Sequence, residues 1–333
     1  MQAPPRILEI GEFCLFRRTW PDSTVFIQAG PDSAAVAPLI SAYFRPRHWQ
    51  RPGRFDLIVA HPPLRSPGNP EMLRRLLSPR RSADARRGIA WGLASRLPPG
   101  RGAAPLAVLD MHDEREVAPH CLPLLDHCRH YFKRELPADP AKAFRLPLRD
   151  ARLPGRMEKL RPISLGLSAE VVTAAPPPLP KTVDLFFAGS TRHAPAIRAE
   201  GLRRIEALAA RGVRVDIARE ALPREEFLRR CGRAWLTFSP EGLGWDCFRH
   251  YEAALCRSVP VINQPTIRRH APLREGEHAL HYEVEGDGLE RVVLAALADP
   301  GRLARMAEAA RAQVLEHHTH EALCRYVVAS CLG

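Results

Sequence analysis

No stretch of the sequence approaches the ~18 consecutive apolar residues of a membrane-spanning helix, so a bilayer span is excluded. The eight cysteines contain no Cys-x-x-Cys pair and no small-domain disulfide spacing, which removes a zinc ribbon and a disulfide scaffold and leaves reduced thiols. No repeat recurs at a fixed period, so a solenoid is excluded too. The first residues, MQAPPRILEIGEFCLF, have no basic leader and carry Glu9 and Glu12 inside their apolar stretch. They cannot act as a signal peptide, and the cytoplasm is the expected compartment. No Asp-x-Asp pair stands at a strand end, so no metal site is expected.

What is present is a folded chain of 333 residues, 45% hydrophobic and 26% charged, long enough for two domains of about 150 residues each. Proline and glycine, 33 and 21 residues, fall short of the ~25–30% that marks low-complexity disorder. The net charge is +12, and only Lys133, Lys142, Lys159 and Lys181 among the 49 cations are lysines. This arginine-rich charge is spread along the chain and forms no stripe of the kind that grips a phosphate backbone. Nucleic acid is therefore not an expected partner, while peripheral association with an anionic membrane surface stays open and the oligomeric state is not legible.

In the first half, short apolar runs at Arg6–Ile10, Thr24–Gln28, Phe55–Ala60 and Pro105–Asp110 end in Gly, Pro or polar clusters and read as buried strands. Glu71–Leu77 and Gly88–Leu97 between them read as helical. Residues 1–170 are expected to form the first domain, followed by a linker at 171–182, where Pro176, Pro177 and Pro178 suit neither helix nor central strand. From 183 onward strand and helix alternate at short intervals: strands at Val183–Ala188, Val213–Ile217, Ala234–Phe238 and Val259–Ile262, and helices at Ala196–Arg211, Pro223–Cys231 and from a capping Asp246 to about Arg257. That alternation belongs to a parallel sheet covered on both faces, a Rossmann-like domain over 183–333. Its ligands should bind beyond the strand ends, in the loops after Ala188, Phe238 and Ile262.

The loop after Phe238 opens the most informative stretch, SPEGLGWDCFRHYEAALCRSVPVI at 239–262. Gly242 and Gly244 allow close backbone approach to a ligand, and Glu241 and Glu252 offer carboxylates to vicinal hydroxyls. Arg249, near a helix N-terminus, can face a phosphate. The plainer alternative is an i,i+3 surface pair of Arg249 with Glu252, worth about 0.2–0.5 kcal/mol. In the first half, LDMHDERE at 109–116 places Asp110, His112 and Asp113 at a strand end, where His112 or Asp113 could act as a base, or all three could merely cap a turn. His112, His120, His127 and His130 with Cys121 and Cys128 match no zinc spacing. His317, His318 and His320 are expected to cap a helix or pack against the other domain.

The run Glu241–Gly242–Leu243–Gly244, then Arg249, then Glu252–Ala253–Ala254 leading to Val259–Pro260–Val261–Ile262, resembles the donor-binding segment of GT-B glycosyltransferases. It is most similar to the bacterial group related to exostosin-like and CgeB-like (spore-maturation) glycosyltransferases. DLFFAGSTR at 184–192, GEHALHY at 276–282 and HHTHEALCRYV at 317–327 extend the resemblance over about 181–333. Ten residues separate Glu241 from Glu252, against the seven of the commonest paired-glutamate motif, so Glu252 carries the match better.

The resemblance implies an α/β chain of GT-B type, with two Rossmann-like domains facing a cleft and the last helix returning to the first domain. It implies transfer of a sugar from a nucleoside-diphosphate donor, bound by the second domain, to a hydroxyl-bearing polysaccharide, glycan or natural-product acceptor bound by the first. The donor set would be Gly189, Arg192, Gly242, Gly244, Arg249 and Glu252, with Glu252 on the ribose, the glycine loop facing the diphosphate and the arginines neutralising the leaving nucleotide. His112, Asp113 and Glu241 are the catalytic candidates. No cofactor is expected, and departure of the diphosphate against arginines and a helix N-terminus needs no metal. A nucleotide-sugar epimerase of the same architecture and a non-catalytic nucleotide or nucleic-acid binder are the alternatives.

Overall fold

The computed structural model describes residues 4–28, 54–63, 104–144, 150–189 and 196–333. The stretches read as helical at Glu71–Leu77 and Gly88–Leu97, and Arg192 of the candidate donor set, lie outside the described residues. The chain divides into two α/β units, one of Met1–Ile163 with Cys324–Gly333 and one of Ser164–Leu323.

In the first unit, β1 (Ile7–Gly11), β2 (Thr24–Gln28), β3 (Leu57–Ala60), β4 (Leu106–Asp110), β5 (His130–Lys133) and β6 (Leu160–Pro162) form a parallel sheet in the order β2-β1-β3-β4-β5-β6. β1 and β4 are buried at every position, which is why their sequences run apolar without alternation. The exception inside β1 is Glu9, fully buried, whose carboxylate accepts from the backbone N–H groups of Leu15 (2.8 Å), Phe16 (3.1 Å) and Arg17 (2.9 Å) and stands 2.9 Å from His61 Nε2. Burial alone would raise its pKa, but His61 and these donors together hold it below the usual carboxylate range. Glu9 thus ties the turn after β1 to the end of β3. In the same unit Tyr326 of the last ten residues packs edge-on against Phe132 and donates to Pro162 O at 3.1 Å.

β5 and β6 are not among the strands read from the sequence. Lys133 is the last residue of β5, with its ammonium fully buried 3.0 Å from Asp110 Oδ2.

In the second unit, β7 (Val183–Ala188), β8 (Val215–Ala218), β9 (Ala234–Phe238), β10 (Val259–Asn263) and β11 (Leu280–Tyr282) form a parallel sheet ordered β11-β10-β9-β7-β8. Leu185 and Phe187 of β7 enter one apolar cluster and Phe186 and Ala188 the other, one on each face. Each fully buried phenylalanine there contributes about 1.5–3 kcal/mol of transfer free energy. The chain passes from β7 outward to β8 and then returns to pair β9 on the other side of β7, so the strand order reverses between β7 and β9, where ligands bind in sheets of this kind.

Two sequence expectations need correction in this unit. Residues 171–182, read as a linker, belong to the unit itself: Val171 is buried in its core, and Lys181 Nζ donates to the carbonyls of Gly232 (3.0 Å), Ala234 (2.8 Å) and Arg257 (2.6 Å). Asp246 does not cap the helix Phe248–Leu255. Its carboxylate accepts from Leu165 N at 2.8 Å and from the Tyr251 hydroxyl, and Cys247 holds the cap position. Of the histidines expected to cap a helix or pack, His318 stands at the C-terminal cap of the helix Pro300–His317 and is fixed within the second unit, with Nδ1 2.8 Å from Ser164 Oγ and Nε2 2.8 Å from Ala271 O.

Candidate functional site

Gly189 and the turn after β9 lie where the strand order reverses. β7 ends at Ala188 and is followed by Gly189; β9 ends at Phe238 and is followed by the turn that leads into the helix Phe248–Leu255. The turn closes on itself through Gly242 N donating to Gly244 O at 2.8 Å. Arg249 lies in the first turn of that helix, and its guanidinium stacks over Phe187 at 5.4 Å. A Cβ built on Gly189 would stand 2.6 Å from Arg249 Nη2, and one on Gly242 2.6 Å from Arg198 Nη2. A side chain at either position would therefore push the facing guanidinium group aside.

Arg249 Nη1 is buried and has no hydrogen-bond partner among the described residues. Burial lowers the Arg249 pKa, and the neighbouring Arg198 charge acts in the same direction. The i,i+3 pair with Glu252 does not form: Glu252, 12% exposed at its side chain, is held by Arg224 at 3.0 Å from the preceding helix Arg224–Arg233. Burial raises the Glu252 pKa, with the Arg224 charge opposing. A buried guanidinium group with an open donor beside a helix N-terminus is chemically an anion receptor.

Arg198 was missed in the sequence. It lies in the first turn of the helix Ala196–Ala209 after β7, donates to Glu241 O at 2.8 Å, and approaches Cys247 Sγ at 3.8 Å. The signal was available, since a cation opening the helix that follows a strand end occupies the same kind of place as Arg249. Glu241 is clamped by Asn263, the last residue of β10, whose Oδ1 accepts from Glu241 N at 2.9 Å while its Nδ2 donates to Glu241 Oε2 at 3.2 Å. His250 takes no part in this polar chemistry. It is buried between Ser239 Oγ (2.7 Å) and Trp245 O (2.9 Å), and burial pushes its pKa down to about 3.

In the first unit, the end of β4 carries a second polar cluster. Asp110 accepts through Oδ2 from the Tyr131 hydroxyl at 2.8 Å and from Lys133 Nζ at 3.0 Å, and its Oδ1 stands 3.2 Å from His112 Nδ1. Burial works to raise the Asp110 pKa, but Lys133 and His112 outweigh it and hold the carboxylate ionised well below its usual range. His112 is nearly covered, and its Nε2 is buried without a hydrogen-bond partner among the described residues. Asp113, grouped with His112 in the sequence, is half-exposed and paired with Arg134. The carboxylate that faces the imidazole is Asp110, so Nδ1–H is donated to it and Nε2 is left as a proton acceptor. Phe13, 42% exposed, has its ring centroid 6.2 Å from that of His112.

The thiols and histidines downstream do not gather around a metal. His120 Nε2 is 2.8 Å from Pro63 O, Cys128 is buried and pushed up to about 12 by desolvation, and no cluster of three or more His, Cys, Asp or Glu suited to a metal occurs among the described residues. Among those residues no helix is long and apolar enough to cross a membrane.

No protein-family model and no curated protein sequence matches the chain. Solved structures do. HepE of Anabaena in complex with UDP superposes with a TM-score of 0.55 at 13% identity, over 98% of this chain and 99% of that one. A glycosyltransferase from Rickettsia africae ESF-5 gives 0.57 at 10% identity, over 98% of each chain. The sucrose-phosphate synthase of Thermosynechococcus elongatus gives 0.50 at 14% identity, over 92% of this chain and 82% of that one. HepE has the same likeness in its complexes with UDP-glucose and with UDP and glucose, each at a TM-score of 0.51. At these identities the likeness is one of fold, and it bears out the expectation of two Rossmann-like units of the GT-B type.

Proposed function

We propose that the protein is a glycosyltransferase that takes its sugar from a nucleoside-diphosphate donor and passes it to a hydroxyl-bearing acceptor, a polysaccharide, glycan or natural product. The observation that carries this reading is Arg249: a buried guanidinium with an open donor, next to Arg198 and against Gly189, at the strand-order reversal of the second unit. Such a group is costly to bury without an anion, and a diphosphate supplies one. Gly189, Gly242 and Gly244 would leave room for the phosphates, Glu252 would accept from the ribose hydroxyls, and Arg192 would add charge on the leaving nucleotide. The fold shared with HepE, solved with UDP and UDP-glucose, supports the donor class. The resemblance in sequence favours the bacterial exostosin-like and CgeB-like group.

In this mechanism the C–O bond between sugar and diphosphate breaks while an acceptor oxygen bonds to the anomeric carbon. The two arginines stabilise the negative charge that develops on the departing diphosphate, and they are in place before the reaction begins. His112, oriented by Asp110, takes the acceptor proton on Nε2 and becomes an imidazolium that Asp110 stabilises. Asp113, with Arg134 on it, and Glu241 remain weaker candidates for the proton transfer than His112.

The test is release of nucleotide from UDP-glucose, GDP-mannose, dTDP-glucose and ADP-glucose, with and without glucose or an oligosaccharide acceptor, in EDTA. One donor should be turned over faster when acceptor is added, without divalent metal. Rescue of a dead, chelated enzyme by Mg or Mn alone would overturn the metal-independent assignment, and turnover indifferent to every acceptor while the sugar is inverted at a carbon would favour an epimerase.

A further inference from the structure

The last residue of β11, Tyr282, pairs in register with Asn263, the last residue of β10. Register partners on parallel neighbours present their side chains to the same face, so the phenol and the amide stand side by side. The Tyr282 ring lies 5.8 Å from that of Phe238 on β9, and only 3% of the residue is exposed. Its hydroxyl is buried and has no hydrogen-bond partner among the described residues. Asn263 grips Glu241 at both its backbone N–H and its carboxylate. Burial first, and then the negative charge of Glu241, push the Tyr282 pKa up, which keeps the phenol protonated as a donor close to that carboxylate.

A buried hydroxyl without a partner is uncommon because it has lost water and gained nothing. A phenol O–H beside a carboxylate is complete when a third hydroxyl accepts from the phenol and donates to the carboxylate. A phosphate oxygen, which only accepts, cannot do both. The sheet order also sorts the ligand's parts. The anion site lies at β7 and β9; Glu252, on the same helix as Arg249, turns to Arg224 of the helix after β8 on one side of it, whereas Asn263 and Tyr282 end β10 and β11 on the other. A donor with its diphosphate at Arg249 and its ribose at Glu252 therefore carries its sugar toward β10 and β11.

We propose that Tyr282 and Glu241, the latter held by Asn263, form a subsite for a hydroxyl group of the sugar carried by the donor. This rests on the reading of the second unit as a nucleoside-diphosphate-sugar site, and it makes Tyr282 a residue that distinguishes sugar nucleotide from bare nucleotide.

The experiment compares wild type with Tyr282→Phe and Glu241→Gln by calorimetric titration of UDP, GDP, dTDP and ADP and of UDP-glucose, GDP-mannose, dTDP-glucose and ADP-glucose. For the nucleotide that binds, Tyr282→Phe should leave the Kd of the bare diphosphate within twofold and weaken the sugar nucleotide at least fivefold, with a Tm no lower than wild type because the removed hydroxyl had no partner. Glu241→Gln should show the same sugar-selective loss. Equal effects on both ligands, no effect on either, or a Tm lowered together with both affinities would overturn the subsite while leaving the donor reading standing. Failure of all four nucleotides and their sugar conjugates to bind wild type would remove the donor reading and the subsite together.

Discussion

Replacing Arg249 by methionine should move stability and ligand affinity in opposite directions. Methionine keeps an unbranched apolar stem against Phe187, over whose ring the guanidinium now lies at 5.4 Å, and it removes a buried charge whose Nη1 has no partner. An unsatisfied buried polar group costs about 1–3 kcal/mol, more when charged, so the variant should be more stable by roughly 1 kcal/mol or more. It also removes a like charge beside Arg198. The same change deletes a charge-assisted hydrogen bond to a bound diphosphate, worth about 1.5–3 kcal/mol, or roughly a 10- to 150-fold weaker Kd. Urea denaturation gives the first quantity and calorimetry with the cognate diphosphate the second. A variant destabilised by more than about 1 kcal/mol, or one with wild-type affinity, would refute the assignment of Arg249 as an anion receptor kept open for a ligand.

Three further outcomes are expected. His250 and His318 are both held neutral by burial, with pKa values of about 3, so between that value and the unfolded ~6.5 the unfolded chain binds more protons and stability falls as the pH drops. From pH 7.5 to 5.5 each should cost about 1.4 kcal/mol, near 3 kcal/mol for the pair, and a flat unfolding free energy over that range by urea titration would contradict it. His112→Ala should slow sugar transfer by ~10²–10⁴-fold with donor saturating, whereas Asp113→Asn, already paired with Arg134, should stay within about threefold; the reverse ranking in a nucleotide-release assay would move the base to Asp113. Glu252→Ala should lose at least ~1.5 kcal/mol of nucleotide affinity with the fold retained, and unchanged calorimetric affinity would remove Glu252 from the site.

The second unit was the more legible in sequence because its strands are mostly apolar runs ended by glycine or a polar residue: Val183–Ala188 and Ala234–Phe238 have the same bounds in both readings. β11 was not read, since Leu280–Tyr282 is only three residues long and carries a histidine at its centre, yet that histidine is interior: His281 is 7% exposed with its pKa lowered to about 4 by burial. β5 was obscured by Lys133, a residue that looks like surface until Asp110 is known to be its partner. Among the site residues, sequence spacing identified Arg249 and Glu252 as neighbours on a helix face, but it could not show that Glu252 turns to Arg224 and leaves Arg249 without an ionic partner. Nor could it choose between Asp110 and Asp113 as the partner of His112, because the choice depends on where Arg134 lies. Arg198, Asn263 and Tyr282 act through contacts 20 to 45 residues apart in the chain, such as Arg198 with Glu241 and Asn263 with Glu241, which no local pattern encodes.

The central claim, that the second unit is built to receive a nucleoside diphosphate, is tested most directly by calorimetric titration of the wild-type chain with UDP, GDP, dTDP and ADP in EDTA. One of the four should bind with a single site, and that binding should be at least tenfold weaker in Arg249→Met. If none of the four binds, or if the one that does binds equally well to wild type and Arg249→Met, the open guanidinium has another purpose and the assignment of a donor site to the second unit is contradicted.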